Sequence, residues 1–345
     1  MKKILLALSL IFLMGQSCVI AKSSGADGGV FKSENFGETW AQKIFIGQQK
    51  GKNLTIGGVN VLKIAIDPSN AKTIYIATRE NGVFVTYDAG EHWLLALPVT
   101  DPVRTLAIDP RNRQVIYVAV NQKIYKTVDG GQNWALMFSE PRNELIQDIQ
   151  VDQYDTRRIY AGINDGQLLK SSDAGQSWTP IGNFASRIKK ILIDPRDSRI
   201  IYVGTATKSI FKTYTGGLAW EGLSKQFELF DTSANNVQDL ILNRSQPDKL
   251  IVATNYGLLK SDDGGTTWTP FKLLTPPNTV TIRSITQNYA KPNEIIYGTD
   301  QNLFKTVDGG KTWISKPLPT GRSAGSLLID PTNPQIVYLG ALNIK

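Results

Sequence analysis

Thr306-Val307-Asp308-Gly309-Gly310-Lys311-Thr312-Trp313 reads TVDGGKTW, and this stretch is one of seven copies of the same turn. The others are Ser33–Trp40 (SENFGETW), Thr86–Trp93 (TYDAGEHW), Thr127–Trp134 (TVDGGQNW), Ser171–Trp178 (SSDAGQSW), Thr213–Trp220 (TYTGGLAW) and Ser261–Trp268 (SDDGGTTW). The chain has seven tryptophans, and Trp40, Trp93, Trp134, Trp178, Trp220, Trp268 and Trp313 each close one copy. Successive tryptophans lie 53, 41, 44, 42, 48 and 45 residues apart, the length of a four-stranded propeller blade.

A second pattern alternates with the first. Apolar runs end at Asp67, Asp109, Asp152, Asp194, Asn243, Asn288 and Asp330; a turn often containing Pro follows, then a run of the type Ile-Tyr-x-x-Thr such as Thr73–Thr78 or Ile200–Thr205. Runs rich in Val, Ile, Tyr and Phe between Gly, Pro, Asn and Asp turns predict four antiparallel strands per blade, A to D. The chain opens with a C–D hairpin (Gly29–Phe45) and finishes with an A–B hairpin (Gly325–Ala341). Pairing the two completes a seventh blade and leaves no free sheet edge at the seam. The expected fold is therefore all-β: a seven-bladed β-propeller of four-stranded antiparallel blades, closed by pairing N-terminal C–D strands with C-terminal A–B strands.

Composition agrees with a folded domain: 345 residues, 41% hydrophobic and 20% charged. One histidine (His92) and one cysteine (Cys18) leave zinc sites, Cys–His chemistry and a Ser-His-Asp triad without their parts. Lys2 and Lys3 precede an apolar run from Ile4 to Met14, too short to span a bilayer but suited to a secretory signal. Residues 1–21, ending Val19-Ile20-Ala21, read as a signal peptide, and residues 22–345 as one propeller domain in the periplasm or outside the cell. The competing reading is a lipoprotein signal acylated at Cys18, which alone would supply a membrane tether; Gly15-Gln16-Ser17 matches a lipobox poorly. The net charge of +8 falls to +6 without Lys2 and Lys3, an excess that favours acidic partners, and no basic run resembles a nucleic-acid arm.

The eight-residue turn resembles the Asp-box, or BNR repeat, of sialidases, sortilin-type receptors, family 74 xyloglucanases and the photosystem II assembly factor family, over Gly28 to the C-terminus. Physical chemistry gives its residues a structural role. Asp88, Asp129, Asp173, Asp263 and Asp308 are expected to accept backbone N–H bonds within the turn, glycine supplies positive φ, and tryptophan plugs the space between blades. A catalytic or calcium-binding role for these carboxylates is not expected. Asn35 and Thr215 replace the aspartate where Gly and Trp remain, so a side-chain oxygen matters more than a charge. His92 takes a Thr slot and is read as a surface variant. Tyr75, Tyr117, Tyr160, Tyr202, Tyr297 and Tyr338 recur at one strand-B position, which argues for core packing over a sugar platform.

Resemblance to this motif family implies that strand A begins on the face away from these turns, where D–A and B–C loops surround the channel mouth. Five residues before each strand-A terminus stand Leu62, Arg104, Gln147, Lys189, Gln238, Arg283 and Gly325. Arg104, Gln147, Lys189, Gln238 and Arg283 are the candidate ligand-binding residues, suited to an anion or a carboxylated sugar; the alternative is a solvated lining. Lys63, Asp148, Lys190 and Asp239 occupy the next position. Two longer connections, Ile46–Asn60 and Leu223–Asn236, lie on the same face, and Phe227 and Phe230 make the second a candidate docking tip. The expected function is a non-catalytic, monomeric scaffold that binds a protein or an anionic glycan, with no catalytic residue, cofactor or metal. The alternative is a glycoside hydrolase. Resemblance to sialidases implies an arginine triad, which Arg104, Arg283 and Arg322 would have to imitate without the usual Arg-Ile-Pro start. Resemblance to xyloglucanases implies carboxylates in a cleft between two propellers, with Asp148 and Asp239 the residues to test.

Overall fold

Twenty-eight of the strands fall into seven four-stranded antiparallel sheets. The computed structural model describes residues 26–344, so the expected signal peptide and Cys18 lie outside the described residues. Blade 1 runs A (Val61–Asp67), B (Asn70–Thr78), C (Val83–Thr86) and D (Leu94–Leu97). Blades 2 to 6 repeat it, with strand A at Val103–Ile108, Ile146–Val151, Ile188–Ile193, Val237–Leu242 and Ser284–Gln287. The chain is an all-β, seven-bladed propeller, as expected.

Blade 7 is assembled from both ends of the chain. Strands C (Val30–Ser33) and D (Ala41–Lys43) join A (Ser323–Ile329) and B (Val337–Leu342), in the order D-C-B-A. The seam register pairs Val30 with Gly340, Phe31 with Leu339, Lys32 with Tyr338 and Ser33 with Val337. Each strand A packs on strand A of the next blade, so seven strands surround a central channel.

The buried side chains divide into seven clusters, each drawn from two adjacent blades. A single blade has no core of its own; closing the ring creates the cores. Close approach decides residue choice here. Strand B carries a small residue near its end, as at Ala77, Gly204 and Gly340. A Cβ on Gly340 would lie 2.8 Å from Val61 Cβ, and one on Gly298 only 2.3 Å from Ala324 Cβ, so strand B of one blade sits directly against strand A of the next.

The seven tryptophan turns work as joints. In Thr127–Trp134, Thr127 Oγ1 donates to Asp129 Oδ1 (2.7 Å) and accepts Gly131 N–H (3.0 Å), while Asp129 Oδ1 accepts the Gln132 and Asn133 N–H groups at 2.9 Å each. Asn35 Oδ1 accepts Thr39 N–H (2.9 Å) and Thr215 Oγ1 accepts Ala219 N–H (3.0 Å), so the two departures keep the acceptor without the charge. Turn residues Gly131 (φ 98) and Gly310 (φ 85) need the positive φ that glycine tolerates. Trp93, Trp134 and Trp220 donate Nε1–H to Lys43, Ala96 and Ile181 carbonyls on strand D of the preceding blade, at 2.9, 3.0 and 2.9 Å. In return Tyr75, Tyr117 and Tyr202 hydroxyls donate to carbonyls of the next blade's turn, Gly130, Ala174 and Gly264, at 3.1, 3.2 and 3.1 Å.

Both long connections are ordered. Most of the expected Ile46–Asn60 loop is a hairpin, Phe45–Gln49 with Lys52–Thr55, whose two turn residues Lys50 (φ 51) and Gly51 (φ 74) have the positive φ values of a two-residue hairpin turn. The expected docking tip is not one. Leu223–Asn236 forms a short helix (Ser224–Glu228) and a 3-10 turn (Thr232–Asn235). Phe227 is fully buried with its ring 5.0 Å from Trp268, and Phe230 is half-buried against Tyr256. The physical reason is the length of strand D in blade 4, only Glu221–Gly222. Too little strand is left there to cover Trp268, and Phe227 takes its place.

Candidate functional site

In most blades strand A reaches the channel through a local irregularity. Register shifts fall between Val61 and Lys63, Ile146 and Asp148, Ile188 and Lys190, Val237 and Asp239, and Ala324 and Ser326. Such a bulge turns two consecutive side chains toward one side. Leu62 with Lys63, Gln147 with Asp148, Lys189 with Lys190 and Gln238 with Asp239 therefore all line a channel of about 620 Å³.

The outer ring contains the candidate ligand-binding residues, and the structure treats them unequally. Seventeen residues after each stands the B–C loop residue that faces it. Gln147 Nε2 donates to Asn164 Oδ1 (3.1 Å) and Gln238 Nε2 to Asn255 Oδ1 (2.6 Å). Arg283 is held by both oxygens of Asp300, at 2.6 and 3.1 Å. Lys189 Nζ donates to Gln238 Oε1 at 3.4 Å and has no other hydrogen-bond partner among the described residues. Arg104 has Asn121 in the facing position, and its Nε is buried with no hydrogen-bond partner among the described residues. Burial, then the charges of Arg187 and Arg79, push the Arg104 guanidinium down from its usual range. Burial followed by Arg187 pushes Lys189 down as well, with Asp239 opposing. The mouth thus gathers Arg79, Arg104, Arg187 and Lys189; Arg79 lies 3.9 Å from Glu80 Oε1, and among the described residues the other three have no ion-pair partner. Arg79 and Arg187 escaped the sequence reading; the run Arg187-Ile188-Lys189-Lys190 at the start of strand A was the available signal.

The arginine triad does not form. Arg283 is neutralised by Asp300, and Arg322 is tied to Asp27 Oδ1 (3.1 Å), the Gly58 and Val59 carbonyls and Asn60 Oδ1 (3.0 Å). Of the three, Arg104 has no ion-pair partner among the described residues.

The inner ring is engaged in closing the channel wall. Asp148 Oδ2 accepts Ile191 N–H (2.8 Å) and Asp239 Oδ2 accepts Ile285 N–H (3.2 Å). Ser284 Oγ accepts Leu327 N–H (2.7 Å) and Ser326 Oγ accepts Ile64 N–H (3.1 Å). In each case a side chain on one strand A caps a backbone donor on strand A of the next blade. Asp148 also accepts from Thr105 Oγ1 (3.1 Å), and Asp239 pairs with Lys190 Nζ at 3.1 Å. Both oxygens of each carboxylate are thus engaged, by hydrogen bonds or by the Lys190 ammonium. Lys63, Asp148, Lys190 and Asp239 come from blades 1, 3, 4 and 5 and meet across the channel.

The turn carboxylates stay apart on the opposite side. Asp129 and Asp308 are held far below the usual carboxylate range by hydrogen bonds, first from Thr127 to Asp129 and from Thr312 to Asp308. Bonds from Ser177, first its hydroxyl and then its N–H, lower Asp173 to about 2. His92 Nδ1 sits 2.8 Å from Asp88 Oδ2, with its ring edge-on to Phe45. Among the described residues no group of three or more His, Cys, Asp or Glu side chains is placed to hold a metal ion.

No protein-family model matches the chain, and no curated protein matches its sequence. Its likenesses lie among solved structures. The GH74 enzyme of Niastella koreensis superposes with a TM-score of 0.64 at 20% identity, over 87% of this chain and 53% of that one. The GH74 xyloglucanase of Xanthomonas campestris gives 0.64 at 15% identity, over 88% and 52%. YCF48 bound to D1 peptide gives 0.60 at 16% identity, over 83% and 93%. The chain spans about half the length of the two GH74 enzymes and most of the length of YCF48. Identities this low establish the shared propeller fold.

Proposed function

We propose that this chain is a non-catalytic binding propeller whose channel mouth takes the carboxylates of an acidic partner. Free cationic charge at one blade position carries this reading: Arg104 lacks the acid that Arg283 has, and its buried Nε has no partner. Leaving a guanidinium half-desolvated is unfavourable unless a ligand supplies acceptors, and an Arg–carboxylate fork supplies two. Two likenesses support opposite versions of the reading. YCF48 bound to D1 peptide is a propeller of comparable length with a peptide ligand, whereas the GH74 enzymes are about twice as long. Asp148 and Asp239, the channel carboxylates that hydrolysis would need, are engaged with backbone N–H groups instead. Export belongs to the same proposal and rests on Lys2, Lys3 and the apolar run Ile4–Met14.

Calorimetric titration with a hexaglutamate peptide and with an oligogalacturonate tests the mouth and separates the two sources of carboxylate. The expected result is binding that weakens about tenfold in Arg104→Gln, the loss of one charge-assisted bond. Equal binding by parent and variant, or release of reducing ends from xyloglucan by the pure chain, would overturn the reading.

A further inference from the structure

We propose that Lys63 is a nucleophilic amine inside the channel that captures small aldehydes as an imine. The site goes beyond the proposed carboxylate binding at the mouth and uses a different ring of residues. Lys63 leaves strand A of blade 1 at the bulge and points into the channel among Lys190, Asp148 and Asp239, the charged groups that face it from blades 4, 3 and 5. Both acids are already taken. Asp239 is paired with Lys190 at 3.1 Å, and Asp148 accepts Ile191 N–H and the Thr105 hydroxyl. Among the described residues Lys63 has no ion-pair partner; the side chain it meets is Lys190, another cation.

Two ammonium groups in contact, both removed from bulk water, cannot easily keep both charges. Asp239 holds the proton on Lys190, so the deprotonation falls on Lys63. The Lys190 charge, followed by burial, brings Lys63 down to about 8, with Asp148 and Asp239 opposing. An amine next to a second cation in a partly desolvated cavity is the arrangement that activates lysine toward carbonyl compounds. The balance is simple. The Nζ lone pair attacks the aldehyde carbon and one amine proton passes to the carbonyl oxygen, giving a carbinolamine; loss of its hydroxyl with the one remaining N–H hydrogen releases water and leaves the C=N bond.

Reductive trapping tests this on the full chain. Acetaldehyde or glyoxylate is added with sodium cyanoborohydride over a range of pH, and modified lysines are mapped by peptide mass spectrometry. Near pH 7 Lys63 is expected to be alkylated at least about tenfold faster than exposed lysines such as Lys50 and Lys52, because an ordinary lysine titrates near 10.4 and holds far less free amine at that pH. Its rate should rise with a midpoint near pH 8. Lys190→Met, checked for folding by its melting temperature, should move that midpoint upward and slow the reaction, since Asp239 would then pair with Lys63. Lys63 reacting no faster than Lys50 and Lys52 in the parent protein would overturn the proposal, as would a midpoint unmoved in a folded Lys190→Met variant.

Discussion

The rim that carries the tryptophan turns and the mouth on the opposite side are built from the same seven repeats, yet they treat charge in opposite ways. At the rim each aspartate or its substitute closes its own turn, and the geometry recurs with distances that barely change between blades. At the mouth the equivalent positions hold Leu62, Arg104, Gln147, Lys189, Gln238, Arg283 and Gly325, and their partners differ from blade to blade. Positions that repeat serve closure, because every blade has the same neighbour to meet. Positions that vary are free of that duty, and a ligand needs an asymmetric surface.

Phe227→Ala breaks the comparison most severely, because the residue lies on the mouth side of blade 4 but belongs to the joinery. Its loss is expected to cost about 3–5 kcal/mol of stability, as for other buried aromatics, and to lower the melting temperature without altering titration of an acidic peptide by the protein that remains folded. Weakened capture with an unchanged melt would return this segment to the binding surface.

Arg104 and Arg283 sharpen the comparison within the mouth itself. They occupy the same position in blades 2 and 6 and differ in what stands seventeen residues later, Asn121 or Asp300. Asn121→Asp should neutralise Arg104 and weaken hexaglutamate binding about two- to fivefold, the range for a partly exposed ion pair. Asp300→Asn should release Arg283 and strengthen binding by a similar factor. Calorimetry on the two variants checks both signs, and the same direction of change in both would break the argument.

The smallest effect is expected at the rim. Asp173 has a folded-state value of about 2 against roughly 3.9 in an unfolded chain, so its ionised form stabilises the fold. That contribution is complete above about pH 4 and disappears as the pH falls through 2. Asp173→Asn keeps one acceptor oxygen, as Asn35 does naturally. Melting temperatures of parent and variant should therefore differ slightly at pH 5 and converge by pH 2. A gap that stays constant over that interval would show that the charge contributes nothing.

Tyr338 and Lys305 illustrate how far the repeats could be read. The tyrosine position was legible as core because it recurs, and Tyr338 is fully buried. Its partner was not, since the bond runs to the turn of the next blade, nearly 250 residues away in sequence. The lysine before the turn's Ser or Thr recurs in six copies, at Lys32, Lys126, Lys170, Lys212, Lys260 and Lys305, a repeat that the reading of the turns left unused. Lys126, Lys212 and Lys305 in fact donate to the Ala174, Gly264 and Phe36 carbonyls of the following blade, at 3.1, 2.6 and 2.9 Å. Phe227 was misjudged for a related reason. An apolar loop looks like a docking tip until the shortness of the strand beside it is known.

Blade number, strand order and the seam between the two ends were determined by the amino-acid sequence alone, because turn chemistry and apolar periodicity act over a few residues and are written out seven times. Which of the channel-lining charges are answered and which are left free was decided only by closure of the ring. Arg104, Asp148 and Lys63 meet their neighbours across blades, and no local pattern records whether the residue arriving opposite is an acid, an amide or another lysine.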